Sequence, residues 1–202
     1  MLRRTLLILA TGLTGGPAIA ADFSDPTWPC VQRKVEHLSL GLMWPVTEET
    51  TADGAPDADV EELAEKLSLR RIDLEDMREE VSAFAASHDG DPDVLSAVFE
   101  DVFNSLDTRR TRIIAGIADF SLSQIALAKK IDTANSEMTS EMALDAPDYD
   151  KVDRLEEQLD WDQLIYSDRQ QSIRYLCETP VLIERRLFEI SQMLQAEVKN
   201  DG

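Results

Sequence analysis

"LDAPDYD", residues 144–150, is a short polar break between two long runs of regularly spaced apolar residues, and its reading decides the fold. Before it, Phe99, Val102, Leu106, Arg109, Ile113, Gly116, Phe120, Ser123, Leu127, Lys130, Ala134 and Glu137 fall on a 4-3 spacing. Slips of one residue at the weak points bring in Arg110, Ile117, Ile131 and Met138. After it, a 3-4 alternation from Val152 through Leu155, Leu159, Asp162 and Tyr166 continues to Leu194 over about six heptads without a slip. A sustained 3.5-residue repeat belongs to helices packed knobs-into-holes. A short turn between two such helices makes them antiparallel neighbours. Each would run about 50 residues, or roughly 75 Å at 1.5 Å per residue.

Folding the chain about residues 145–146 sets the register. Asp162 then meets Lys129 and Lys130, and Arg169 meets Asp119 and Ser123. Polar residues in a seam cost stability but reject wrong registers. At the far end, Val94, Leu95, Val98, Phe99, Val102 and Phe103 come opposite Val181, Leu182, Ile183, Leu187, Phe188 and Met193. These stripes are wider than a two-helix seam needs, so further helices must cover them.

Two candidates precede the hairpin. Residues 57–69 place Val60, Leu63 and Leu67 on one stripe, and residues 73–87 do the same with Leu74, Met77, Val81 and Phe84. In "SHDGDPD", 87–93, Gly90 reads as a helix stop, with Asp91 as N-cap and Pro92 at the first helical position of the next helix. No internal repeat of fixed domain-scale period is present. The expected fold is all-α: a long antiparallel helical hairpin forming a coiled-coil-like arm, with two shorter helices completing a four-helix head. The helical domain spans 57–200, with the head drawn from 57–117 and 173–200 and the arm from 118–172. Pro180 interrupts the last run without disturbing its heptad phase, which favours a kink; the alternative is a fresh helix with Thr179 as N-cap.

Residues 21–56 read differently. "DPTWPCVQRKVEHLSLGLMWPV", 25–46, is apolar, lightly basic and stiffened by Trp-Pro pairs, and a polar linker, 47–59, follows it. Its Cys30 and the later Cys177 are the two cysteines of the chain. The simplest pairing is one disulfide that clasps an N-terminal extended strap to the last helix, next to Pro180. Arg33 and Lys34 are then free to meet acidic helix faces.

Ahead of the strap, Arg3 and Arg4, the apolar stretch Thr5 to Leu13 and the small-x-small Ala18-Ile19-Ala20 read as a signal peptide, residues 1–20. The apolar stretch falls short of the ~20 residues that span a bilayer. The implied destination is across the inner membrane, in the periplasm. Cleavage would remove two of the 20 basic residues and none of the 40 acidic ones, from a chain of net charge −20. Such acidity disfavours nucleic acid and anionic membranes as partners.

No chemistry-bearing motif stands out. His37 and His88 lack a carboxylate three residues before them, so the Glu-x-x-His pattern of bundle metal sites is missing. "DGDPD", 89–93, does not match a calcium loop. The acid clusters Glu61, Glu62, Glu65 and Glu75, Asp76, Glu79, Glu80 sit opposite apolar stripes and read as solvated faces. The sequence therefore predicts no catalytic residue, no metal ligand and no cofactor. One feature resists the plain reading: Leu122, Ile125, Trp161 and Leu164 lie outside the seam on the arm. Either the strap packs over them or they form a contact surface for a partner, and the register implies that all four approach one another. The expected function is macromolecular binding by an exported helical protein (adaptor, scaffold or chaperone-like), through a protein partner with a basic face or through self-association. The alternative is a periplasmic small-ligand or cation-binding protein.

Overall fold

The computed structural model describes residues 25–45 and 58–199. The expected signal peptide and nearly all of the linker lie outside the described residues. Five helices follow in order: α1 (Leu40–Met43), α2 (Ala58–Ser68), α3 (Arg78–Ser87), α4 (Pro92–Met142) and α5 (Tyr149–Gln195). The fold is the all-α hairpin with a helical head that the repeat predicts.

The ends of the long helices are set locally. Asp91 caps α4, its carboxylate accepting from the Asp93 N–H at 2.8 Å, with Pro92 in the first turn. Asp148 caps α5 through the Lys151 N–H at 3.1 Å. Both satisfy helix N–H groups that have no partner within the helix. Gly90, at φ +67°, turns the chain ahead of α4. A Cβ there would lie 2.9 Å from the Glu197 carbonyl oxygen, because the C-terminal segment donates Lys199 N–H to the Gly90 carbonyl. Glycine answers both constraints.

α4 and α5 pack antiparallel along their length. Two ion pairs record the register. Lys130 Nζ lies 2.9 Å from Asp162, and Lys151 Nζ lies 2.8 Å from Glu141. Both are symmetric about residue 146, so the Asp162–Lys130 expectation holds. Arg169 differs: it is exposed and forms no ion pair among the described residues.

In the head, α2 packs on α4, and α3 reaches α5. Val60, Leu63 and Leu67 join Leu95, Val98, Phe99, Val102, Leu106, Ile183, Leu187, Ile190 and Leu194 in one core. The expected helix 73–87 starts late. Residues 74–77 form i→i+3 turns, with Met77 N–H bonded to Leu74 O and Arg78 N–H to Glu75 O. Leu74 and Met77 are buried all the same. A tight turn keeps nearly the phase of a helix, so periodicity alone reads the two alike. Leu182 and Phe188, expected in the head core, are exposed.

α5 runs unbroken through Pro180, which excludes a fresh helix there. The Cys30–Cys177 disulfide closes a separation of 147 residues, with Cα atoms 5.5 Å apart, just ahead of that proline. The ring removes the N–H that the Leu176 carbonyl would otherwise accept. The clasp therefore holds α5 at its weakest turn.

Candidate functional site

The strap must be placed before any outer surface can be judged free. It runs along one flank of the hairpin toward the head. The Ser121 hydroxyl donates to Pro26 O at 2.7 Å, near its start. Trp28 and Cys30 pack with Ile114, Ile117 and Cys177. Farther on, Leu38 N–H reaches the Asp107 carboxylate at 3.5 Å. At the head, Trp44 stacks on Phe99 with ring centroids 5.0 Å apart, and its indole N–H donates to Ser96. The Ser191 hydroxyl donates to Met43 O at 2.6 Å. One helical turn, α1, interrupts the otherwise extended chain.

A buried ion pair orients the middle of the strap. Arg110 is 2% exposed; its Nε donates to Glu184 at 2.8 Å and its Nη2 to Val35 O at 2.6 Å. A buried guanidinium needs several acceptors, and the strap backbone supplies what α5 alone does not. The strap's own cations do not meet the helices. Lys34 pairs with Asp25 and Glu36, both within the strap, and Arg33 forms no ion pair among the described residues. Lys34 departs from the expected contact with acidic helix faces because acids inside the strap are closer, and Arg33 is exposed to solvent.

This path leaves the four arm residues bare. Trp161 is 61% exposed, Leu164 53%, Leu122 47% and Ile125 37%. The strap does not cover them. They also do not make one patch. Ile125 lies one turn beyond Ser121, on the strap's flank of α4. Trp161 precedes Cys177 by sixteen residues, about 160° round the helix, and so faces away from the strap. Leu164 lies on that same outer side of α5. The expected meeting of all four is corrected to two pairs on opposite flanks, since facing the solvent is not the same as sharing a side.

Three further apolar side chains stand exposed on α5 alongside or beyond Trp161 and Leu164. Ile165 is 41% exposed, Tyr175 71% and Leu182 40%. Trp161, Asp168, Tyr175 and Leu182 stand seven residues apart on one stripe. A second heptad phase behind the seam was the available signal. The arm's other helix offers a contrast. The exposed Thr133, Ser136, Thr139 and Ser140 of α4 turn their hydroxyls back to the carbonyls four residues earlier. That is the usual way a mid-helix hydroxyl satisfies itself, and it leaves a polar face.

The acid clusters stay where charges are cheap. Lys66 bridges Glu62 and Glu80, both at 2.7 Å. Hydrogen bonds from the Thr27 hydroxyl and N–H hold Asp25 below the ordinary carboxylate range, and the His88 ring does the same for Asp59. No group of three His, Cys, Asp or Glu side chains is placed to hold a metal ion among the described residues. No described helix is long and apolar enough to cross a membrane. No family model, curated protein or solved structure matches the chain.

Proposed function

We propose that this chain is an exported, periplasmic binding protein that works through contacts with another macromolecule, presented on its helical arm. The observation that carries the reading is the outer face of α5. There Trp161 and Leu164 stand more than half exposed on an arm that lacks the layers closing the head, and Tyr175, where the head begins, is more exposed still. Tryptophan and tyrosine concentrate binding energy where they are desolvated by a partner, with truncation costing about 2 kcal/mol or more at such positions. The disulfide supports an oxidising compartment, and the Arg3–Ala20 segment supports the route to it.

The partner is a protein. The net charge of −20 favours a basic contacting face, and complementary charge mainly raises the association rate. The test is capture of interacting protein from periplasm by the wild-type chain and by a Trp161→Asp variant of unchanged melting behaviour. Loss of capture in the variant, together with weakening by added salt, fits the reading; equal capture by both removes Trp161 from it.

A further inference from the structure

The outer stripe of α5 is complementary to itself. We propose that it is a homodimer seam: two copies pair antiparallel along α5 about a twofold axis between Gln171 and Ser172. The inference rests on the reading of this face as a contact surface but makes its occupant a second copy of the chain, whose stripe supplies the facing cations Arg154 and Arg185 in place of a basic partner. A twofold contact sets one patch against itself, so each pairing occurs twice. In this register Trp161 of one copy lies level with Leu182 of the other. Asp168 lies level with Tyr175, whose hydroxyl donates to the carboxylate. Farther out, Arg154 comes opposite Glu189, and Glu157 lies beside Arg185.

Neighbouring registers lose this match. A slide of one heptad in one direction sets Asp168 against Asp168 and Glu157 beside Glu178; the other sets Trp161 against Glu189. A parallel pair puts Asp168 and Arg154 each against its own copy. Like charges brought together at an interface cost several kcal/mol, which excludes the first slide and the parallel pair, while the second slide gives up the Arg154–Glu189 match. Glu189 lines an open groove of about 570 Å³ together with Asp73, Glu75 and Arg78, and Arg78 already holds Glu75 at 2.6 Å. The partner's Arg154 arrives there beside Glu189, which forms no ion pair among the described residues.

Size sets the strength. From Arg154 to Glu189 the stripe is about 50 Å long and, at most, one helix of 10–12 Å wide. That gives on the order of 500–600 Å² per copy, below the ~800 Å² per partner of a standard specific complex. A contact of that size falls among the weak, transient ones.

Sedimentation equilibrium on the disulfide-intact chain, from about 1 µM to a few hundred µM, tests it. The expected result is a monomer–dimer equilibrium with Kd in the micromolar range. Tyr175→Glu sets a carboxylate against Asp168 twice and weakens the dimer at least about tenfold, while the thermal melt monitored by circular dichroism is unchanged. Arg154→Glu weakens it as well, and adding Glu189→Arg restores it. A wild-type chain that stays monomeric overturns the proposal, as does a dimer indifferent to Tyr175→Glu. If the monomeric chain still captures a protein and Trp161→Asp abolishes that capture, the contact surface stands and the dimer alone falls. If capture is equally indifferent, both fall.

Discussion

The head and the arm are built from the same two helices and the same repeat, yet they are stabilised differently. Around Phe99 and Leu187 the hairpin is closed on one flank by α2 with the turn before α3, and on the other by the strap; both residues are fully buried. Beyond Ile117 and Ile173 only the start of the strap remains, bonded at Ser121, and past it those layers end. The seam between Ser121 and Lys130 then carries Ser121, Gln124, Asp162 and Tyr166, and apolar burial returns only near the tip, at Ala134, Leu155 and Leu159. A heptad repeat specifies which faces meet. How much surface leaves water depends on a third and fourth layer, and hydrophobic stabilisation scales with that area.

The largest effect is expected in the head. Phe99→Ala removes a fully buried ring stacked on Trp44 and lowers global stability by about 3–5 kcal/mol, read by denaturant unfolding. A loss much below that would mean the head is not the stabilising half.

Next comes the clasp. Replacing both Cys30 and Cys177 by Ser costs about 2–4 kcal/mol. Amide hydrogen exchange should quicken first along the strap and around Pro180, with the arm tip unaffected. Uniform quickening would make the clasp a property of the whole hairpin.

Trp161→Ala is expected to change stability by less than about 1 kcal/mol, since the side chain is mostly exposed. A melt lowered as far as that of Phe99→Ala would show that the outer arm is internal in solution.

The smallest effect belongs to the tip. Glu141 accepts from Lys151 Nζ at 2.8 Å and from Asp148 N–H at 3.1 Å, and these two bonds, the lysine's foremost, hold its carboxyl below the ordinary range. A lowered folded-state value means the stabilisation is complete above the unfolded carboxylate's titration and is lost as pH falls through the folded one. Below about pH 4 the turn at 143–148 should exchange faster while the head holds. Exchange at the tip that is flat across this range would remove Glu141 from the turn's stability.

Much of this was legible in residue order because it depends on local geometry. The 3.5-residue spacing implies two helices in contact, Asp91-Pro92 starts one of them, and a polar break of a few residues forces them antiparallel. The Lys130–Asp162 pair follows from simple folding about that break. The turn at Leu74–Met77 was misread as helix because its phase is nearly helical. The positions of Leu182 and Phe188 were misassigned because a wide apolar stripe does not say which of its edges a neighbour covers.

What the sequence by itself determined, then, is the hairpin, its register, the ends of its helices and the identity of the two joined cysteines. Each follows from periodicity, capping or the count of available partners within one or two neighbouring elements. Only the tertiary structure decided the course of the strap, the burial of Arg110 against its carbonyls, and the division of the exposed arm residues between two flanks. Those outcomes depend on how an aperiodic segment and two short helices share the sides of the hairpin. An extended chain has no repeat that could announce which side it takes, and that choice leaves the outer stripe of α5 open to solvent.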